Sequence, residues 1–283
     1  MAIRQILTHP GGAHKDELLA CAVLAAAHGC GIVRREPSDG DLADPGVAVV
    51  DVGGEHEPER SNFDHHQFGP DHEPVCALSL VLQHLGIYDD ARRFCDWLET
   101  TERLDVTGPR ETSAWLGIEP DVLGRLNSPV DITLLRRFAS VDRVEPGEAL
   151  YEILRWVGAD LLEYLKSLRE RLEYVGEHAG MWEVADLNVL FMPRTDPLPP
   201  EPSAGLGRHL EAIGMEEATS GLVYPDRRGP GYGLSRFRDD PRFDFTRIEG
   251  EPDVHFAHAR GFVAKTSATD PERLKELLRL ARV

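Results

Sequence analysis

The chain has 283 residues, enough to bury a sizeable core and to form two domains. Its 41% hydrophobic and 28% charged residues are ordinary for a globular protein, no apolar run approaches bilayer length, and the opening MAIRQILTHPGG lacks a signal-peptide pattern, so a soluble cytoplasmic protein is expected. A formal net charge of −18 argues against gripping long duplex nucleic acid, which needs Lys and Arg to neutralise phosphates, and suits a site that concentrates divalent cations.

In chain order, Ile3 to Thr8 reads as a buried strand closed by a Pro10-Gly11-Gly12 turn. An Ala- and Leu-rich helix follows from Asp16 to Ala27, with acids in its first turn and Gly29 and Gly31 at its end. Ile32 to Arg35 is a second strand, Pro37 to Pro45 a polar loop, and Val47 to Val52 a third strand stopping at Gly53-Gly54. Strand, helix, strand, loop, strand predicts a doubly wound α/β domain with a parallel sheet, whose ligands bind at the carboxyl ends of the strands.

Helices are expected over Cys76 to Leu85, Asp89 to Leu104 and Pro129 to Ser140, with Asp105 to Pro109 terminating the second. Thr112 to Asn127 is mixed. Glu148 to Tyr174 has the apolar spacing of one long helix bridging two domains. Beyond it, Pro193 to Pro202 is a loop, Leu187 to Met192, Gly221 to Tyr224 and Val254 to Ala257 are strands, and Asp270 opens a last helix over Pro271 to Leu280. The domains expected are therefore 1–145, a helical connector 146–180, and a smaller mixed α/β domain 181–283. The cysteines (Cys21, Cys30, Cys76 and Cys95) form no CxxC pair and mostly sit in apolar segments, which predicts buried reduced thiols.

Histidine crowds the first third of the chain, with His9, His14, His28, His56, His65, His66, His72 and His84 there and only His178, His209, His255 and His258 beyond it. His9 and Asp51 each sit at the carboxyl end of a strand, His14 and Asp16 lie at the start of the first helix, and Asp64-His65-His66 forms a third cluster. Two divalent ions held about 3.5–4 Å apart can clamp the oxygens of an in-line phosphoryl displacement. Asp51, at a strand end between the other groups, is the natural bridge. His9 and His14 complete one ion's ligands; Asp16, His65 and a later acid complete the other's. Mixed imidazole and carboxylate ligation suits Mn²⁺, with Mg²⁺, Zn²⁺ or Co²⁺ also accommodated. His66 and Asp64 are the catalytic candidates, with His66 expected to contact the scissile phosphate or move a proton.

At these residues the chain resembles the DHH phosphoesterase superfamily, which includes RecJ exonucleases, nanoRNase-type oligoribonucleases and manganese-dependent inorganic pyrophosphatases. Within it the nearer likeness is to the melanocyte-proliferating-gene family, also named metal-dependent protein hydrolase, whose animal members are described as RNA exonucleases. Four segments carry the likeness: Thr8-His9-Pro10-Gly11-Gly12-Ala13-His14-Lys15-Asp16-Glu17, Asp51-Val52-Gly53-Gly54, Phe63-Asp64-His65-His66-Gln67, and Phe256-Ala257-His258-Ala259-Arg260-Gly261-Phe262. The resemblance implies a metal site in the cleft between the two domains and substrate contacts from the C-terminal one, with His258, Arg260 and Gly261 as candidates. It also implies a last metal ligand after the helix that follows Asp64-His65-His66. Asp105 is the choice there, with Glu102 one turn earlier as the alternative.

The function expected is a two-metal phosphodiesterase, an exonuclease on short RNA or oligonucleotides. The alternatives are a small-molecule phosphatase, pyrophosphatase or cyclic-nucleotide phosphodiesterase of the same superfamily, and a non-catalytic metal-binding regulatory protein. Partners expected are short RNA or a small nucleotide or phosphate, with no long duplex and no membrane, and a homodimer is allowed. No GxSxG motif occurs, and no cysteine neighbours the His clusters, which disfavours a serine or cysteine hydrolase.

Overall fold

The computed structural model describes residues 2–283 and divides into two compact units, the first reaching Lys166 and the second covering Ser167–Val283. The first unit opens with β1 (Gln5–Thr8), α1 (Lys15–His28), β2 (Ile32–Arg34), α2 (Asp39–Ala43), β3 (Val47–Val50), β4 (His56–Glu57) and β5 (Asn62–Phe63). Helices α3 (Ala77–His84), α4 (Tyr88–Phe94), α5 (Asp96–Leu116), α6 (Pro120–Arg125) and α7 (Pro129–Ala139) follow, then β6 (Arg143–Val144) and the first part of α8 (Ala149–His178).

The six strands form one sheet in the order β4-β5-β3-β1-β2-β6. Its inner four strands are parallel, while β4 and β6 pair antiparallel at the two edges. All four residues of β3 are buried, the pattern of a parallel strand covered on both faces, and each valine removed from water contributes about 1.5 kcal/mol. The chain winds from β1 to β2 on one side and to β3 and β5 on the other. The crevice at such a reversal, beyond the carboxyl ends of β1 and β3, is where open α/β sheets bind ligands.

α1 forms because an uninterrupted Ala, Leu and Cys run follows a capping box, in which the Glu17 carboxylate accepts the His14 backbone N–H. It stops at Gly29 in the left-handed conformation. Its buried Ala face lets α8 approach closely at Gly158, where a Cβ would stand 2.0 Å from the Ala22 carbonyl oxygen. The four cysteines are free and buried, as expected.

The helical region departs from the expected boundaries. The segment read as one helix over 89–104 is two, α4 and α5, separated at Cys95 in a non-helical conformation. The Gly108-Pro109 pair ends the first stretch of α5 as expected: Gly108 takes a non-helical φ of 76°, and a second helical stretch starts with Pro109 at its first position, where a missing N–H costs nothing. Asp105 thus lies inside a helix. The loop 37–45 holds the short α2, nucleated by a Ser38/Asp41 capping box. The two-residue strands β4, β5 and β6 are too short for a periodicity to register.

The second unit takes the end of α8, then β7 (Gly180–Val184), β8 (Leu187–Phe191), α9 (Leu206–Ala212), β9 (Thr219–Pro225), β10 (Tyr232–Arg236), β11 (Val254–Ala257), β12 (Val263–Thr266) and α10 (Pro271–Ala281). Its sheet runs β11-β12-β10-β9-β8-β7, antiparallel except for β8 with β9. Leu274, Leu277, Leu278 and Ala281 of α10 enter one core with Val189, Val223 and Leu234. Asp270 caps α10 by accepting from the Glu272 and Arg273 N–H groups, so helix and cap are as the sequence indicates. β7, β10 and β12 escape sequence reading. β10 carries Gly233, a poor strand former that is present because a Cβ there would meet the Tyr224 ring at 2.7 Å. Among the described residues no helix is long and apolar enough to cross a membrane.

Candidate metal centre

Strand register assembles the centre. Thr8 of β1 pairs with Val50 of β3, and Val50 pairs with Phe63 of β5, so His9, Asp51 and Asp64 emerge side by side at the carboxyl ends of three parallel strands. α1 starts above β1 and delivers Asp16 and Glu17, both buried. Asp51 sits at φ 57°, a left-handed conformation that costs most residues about 1–2 kcal/mol and that Asp tolerates better. The strand therefore ends abruptly, and Gly53 (φ 99°) and Gly54 (φ 72°) complete the turn.

Three groups of potential ligands converge, each with its donor atoms within 4.8 Å of one another: His9, His14, Glu17 and Asp51; Asp51, His65 and His66; and Asp16, Asp51, His65 and Asp105. Asp51 belongs to all three. His65 Nε2 lies 3.0 Å from Asp51 Oδ1 and 2.9 Å from Asp105 Oδ2, and His9 Nε2 lies 3.5 Å from Asp51 Oδ2. All six residues expected as metal ligands, His9, His14, Asp16, Asp51, His65 and Asp105, are thus brought together. Glu102 is not among them. It is buried and saturated by Ser79 Oγ (2.6 Å), the Tyr88 hydroxyl (2.8 Å) and Arg92 Nη1 (2.6 Å).

The residues present fit a cation. Among the described residues, Asp16 Oδ1 is buried with no hydrogen-bond partner, and Asp51 Oδ1, His65 Nε2 and Asp105 Oδ2 are buried facing only one another, close but out of hydrogen-bond alignment. Each such orphan costs about 1–3 kcal/mol, and four facing one another are relieved together by bound ions. The remaining ring and carboxylate atoms are already committed. His9 Nδ1 donates to the Pro10 carbonyl (2.9 Å), which turns Nε2 toward Asp51, the backbone support typical of metal-binding imidazoles. Asp16 Oδ2 accepts from the Ala77 N–H at the start of α3 (3.3 Å).

Electrostatics agree. The Asp16 carboxyl is pushed well above the usual carboxylate range by burial, with the Asp51 and Asp105 charges adding to it. Asp51 carboxylate, hydrogen bonding first and then Glu17, holds the His9 imidazolium up at about 10. Burial opposes charge on His65, but Asp105 and Asp51 outweigh it and raise the ring to about 10. For Asp51, burial is outweighed by His65 and His9, which bring the carboxyl down to about 2. Without a cation, the anionic cluster retains protons in its place.

Asp64 has a supporting task. Its Oδ1 accepts from the His66 backbone N–H (3.0 Å) and from His66 Nδ1 (2.7 Å), and its Oδ2 accepts from the Gly54 N–H (2.6 Å). With Nδ1 donating to Asp64, the exposed His66 ring keeps Nε2 for solvent or substrate. Two residues go beyond the expected set. Glu17, whose two carboxylate oxygens both accept from the His14 N–H at 2.7 Å, also lies 3.4 Å from His9 Nε2 and orients both histidines. Its place at the end of the Thr8-to-Glu17 segment, beside Asp16, was the signal. Arg34 is buried at the end of β2, with Nη1 donating to the Gly11 (3.2 Å) and Phe138 (2.9 Å) carbonyls and Nη2 to Gly12 (3.0 Å). It pins the loop joining His9 to His14, which no local pattern announces. Arg34→Met leaves three carbonyls without a donor and is expected to destabilise the protein by roughly 3 kcal/mol or more, measured by denaturant unfolding.

In the second unit, His258, Arg260 and Gly261 form the β11–β12 turn. His258 N–H bonds the Val263 carbonyl (2.9 Å), and Gly261 N–H bonds the His258 carbonyl (2.7 Å). Gly261 is required by the turn: φ is 67°, and a Cβ would stand 2.1 Å from Asp244 Oδ1. Arg260 is exposed, its backbone N–H donating to His258 Nδ1 (3.1 Å).

Comparison with known proteins bears on this arrangement. Residues 5–86 match the family model MYG1_exonuc, described as an uncharacterised protein family (UPF0160). That segment is similar to the MYG1 exonucleases. MYG1 exonucleases of Rattus norvegicus and Homo sapiens are each 48% identical to this chain over 71 residues, and that of Bos taurus is 46% identical. In each case the aligned part is 24% of this chain and 18% of the relative. The family resemblance read from the motifs is borne out in this segment, which spans the expected residues from His9 to His66 and ends before Asp105. A solved structure described as a member of the s1p family of ribosomal proteins with a DHH domain aligns over 98% of this chain and 85% of its own, at 14% identity and a TM-score of 0.33, too low to bear on the fold.

Proposed function

We propose that this chain is a two-metal phosphodiesterase that removes nucleotides from short RNA or oligonucleotides. One observation carries the reading: a single buried carboxylate, Asp51, shared by a His9/His14 group on one side and an Asp16/His65/Asp105 group on the other. That is the ligand pattern of two ions sharing a bridge, and the mixed imidazole and carboxylate set favours Mn²⁺. Bound there, such ions supply charge to clamp the phosphate and lower the pKa of the attacking water. The chain's own groups do the rest. His66 Nε2, held by Asp64 at its other nitrogen, holds or moves a proton at the scissile phosphate. Arg34 and Glu17 keep the His9–His14 loop in the one geometry that presents both imidazoles. The MYG1 exonucleases similar to residues 5–86 support nuclease chemistry, and the acidic composition favours short substrates.

The test is hydrolysis of a short RNA, a short DNA, a cyclic dinucleotide, 3′-phosphoadenosine phosphate and pyrophosphate, each with Mn²⁺ and with chelator. Chelator-sensitive shortening of the RNA one nucleotide at a time is expected. Turnover of pyrophosphate alone overturns the diesterase reading, and turnover of nothing by metal-loaded protein overturns the enzyme reading.

A further inference from the structure

Two cavities open onto the ligand cluster, and their walls differ in chemistry. One, of about 410 Å³, is lined by His9, Asp51, Asp64, His66 and the Val52-Gly53 turn. The other, of about 320 Å³, lies on the Asp16 and Asp105 side and is walled by Leu104, Leu135 and Thr101 together with Lys15. His14 lines both. Asp16 and Asp105 themselves line the second cavity, so it is continuous with the candidate ligand carboxylates. The Lys15 ammonium is 3.5 Å from Asp131, with both side chains about half exposed, a pairing weak enough to exchange for a substrate oxygen.

Inorganic phosphate and pyrophosphate carry no apolar surface, and leucine walls beside their site do nothing for them. A nucleotide carries both halves: a charged ester for the ions and a planar base for an apolar recess. A cavity of this size with apolar walls and a few convergent polar groups is the usual form of a small-ligand subsite, typically about 300–1,000 Å³. We propose that the Leu104/Leu135 cavity receives the base of the nucleotide next to the scissile phosphate, with Lys15 facing its polar edge. The substrate class is then nucleoside phosphate esters, and base contact on the Asp105 side sets the preference. This rests on the metal-phosphoesterase reading of the same cluster.

The experiment is calorimetric titration of the Mn²⁺-loaded full chain with AMP and with ribose 5-phosphate, in which a hydroxyl stands where AMP carries the base. AMP is expected to bind at least ten-fold tighter. In Leu135→Glu, which sets a charge on the wall, that ratio is expected to collapse to within two-fold, and Leu135→Ala is expected to reduce it about three-fold. Equal affinities in the natural protein overturn the proposal, as does a ratio that survives in both variants. The two readings fail separately. Chelator-sensitive turnover without base preference removes the base pocket and leaves the hydrolase. Base-dependent AMP binding without turnover of any phosphate compound does the reverse.

Discussion

Asp51→Ala is expected to strip the centre of bound metal and to take phosphodiester turnover to the level of chelated protein. Asp51 is the one residue common to every ligand group, and its two oxygens face opposite ways, Oδ1 toward His65 and Oδ2 toward His9. Loss of a residue that merely supports a ligand costs about 10–100-fold in metal affinity or activity, and loss of a bridging ligand exceeds that. Backbone strain complicates the alanine variant, because alanine at φ 57° costs about 1–2 kcal/mol. Asp51→Asn separates the effects, since asparagine accepts the left-handed conformation and keeps the volume while losing the charge. Elemental analysis should find less than one ion per chain in both variants. Two ions and near-normal turnover in Asp51→Asn remove Asp51 from the bridging role.

How much of this was legible in the sequence follows from the length scale of each signal. β1, α1 and β3 are continuous apolar runs punctuated by glycine and proline, and they announce the parallel sheet and the carboxyl ends where His9 and Asp51 lie. Asp64-His65-His66 is legible as chemistry, yet the split of labour within it is not. Only hydrogen bonding reveals that Asp64 faces His66 and Gly54 while His65 faces Asp51 and Asp105. Arg34 illustrates what composition hides. Nothing in the sequence around this last residue of β2 marks it as buried, and its burial becomes visible only once the carbonyls of Gly11, Gly12 and Phe138, up to 104 residues away, surround it. The second unit was legible where strands are apolar and uninterrupted, as in β8, and opaque where glycine is needed for close packing, as in β10.

The choice between Asp105 and Glu102 as the last ligand was open from spacing alone, because residues three apart share a helix face. Their surroundings now separate them, and paired substitutions should dissociate accordingly. Asp105→Asn is expected to lower metal occupancy of the Asp16/Asp51/His65 group while changing apo-protein stability little, since the lost ion pair with His65 and the relieved repulsion of Asp16 offset each other. Glu102→Gln is expected to leave metal content intact and to destabilise the fold by about 3 kcal/mol, the lower part of the range for breaking a buried ion pair, because Arg92 retains some exposure. The two readouts, ions per chain by elemental analysis and unfolding free energy by denaturant titration, move in opposite variants. Loss of metal in Glu102→Gln with full occupancy in Asp105→Asn exchanges the roles. It would also mean that the Ser79, Tyr88 and Arg92 contacts to Glu102 give way when ions bind, placing the metal deeper beneath α5 than the orphaned oxygen of Asp105 indicates.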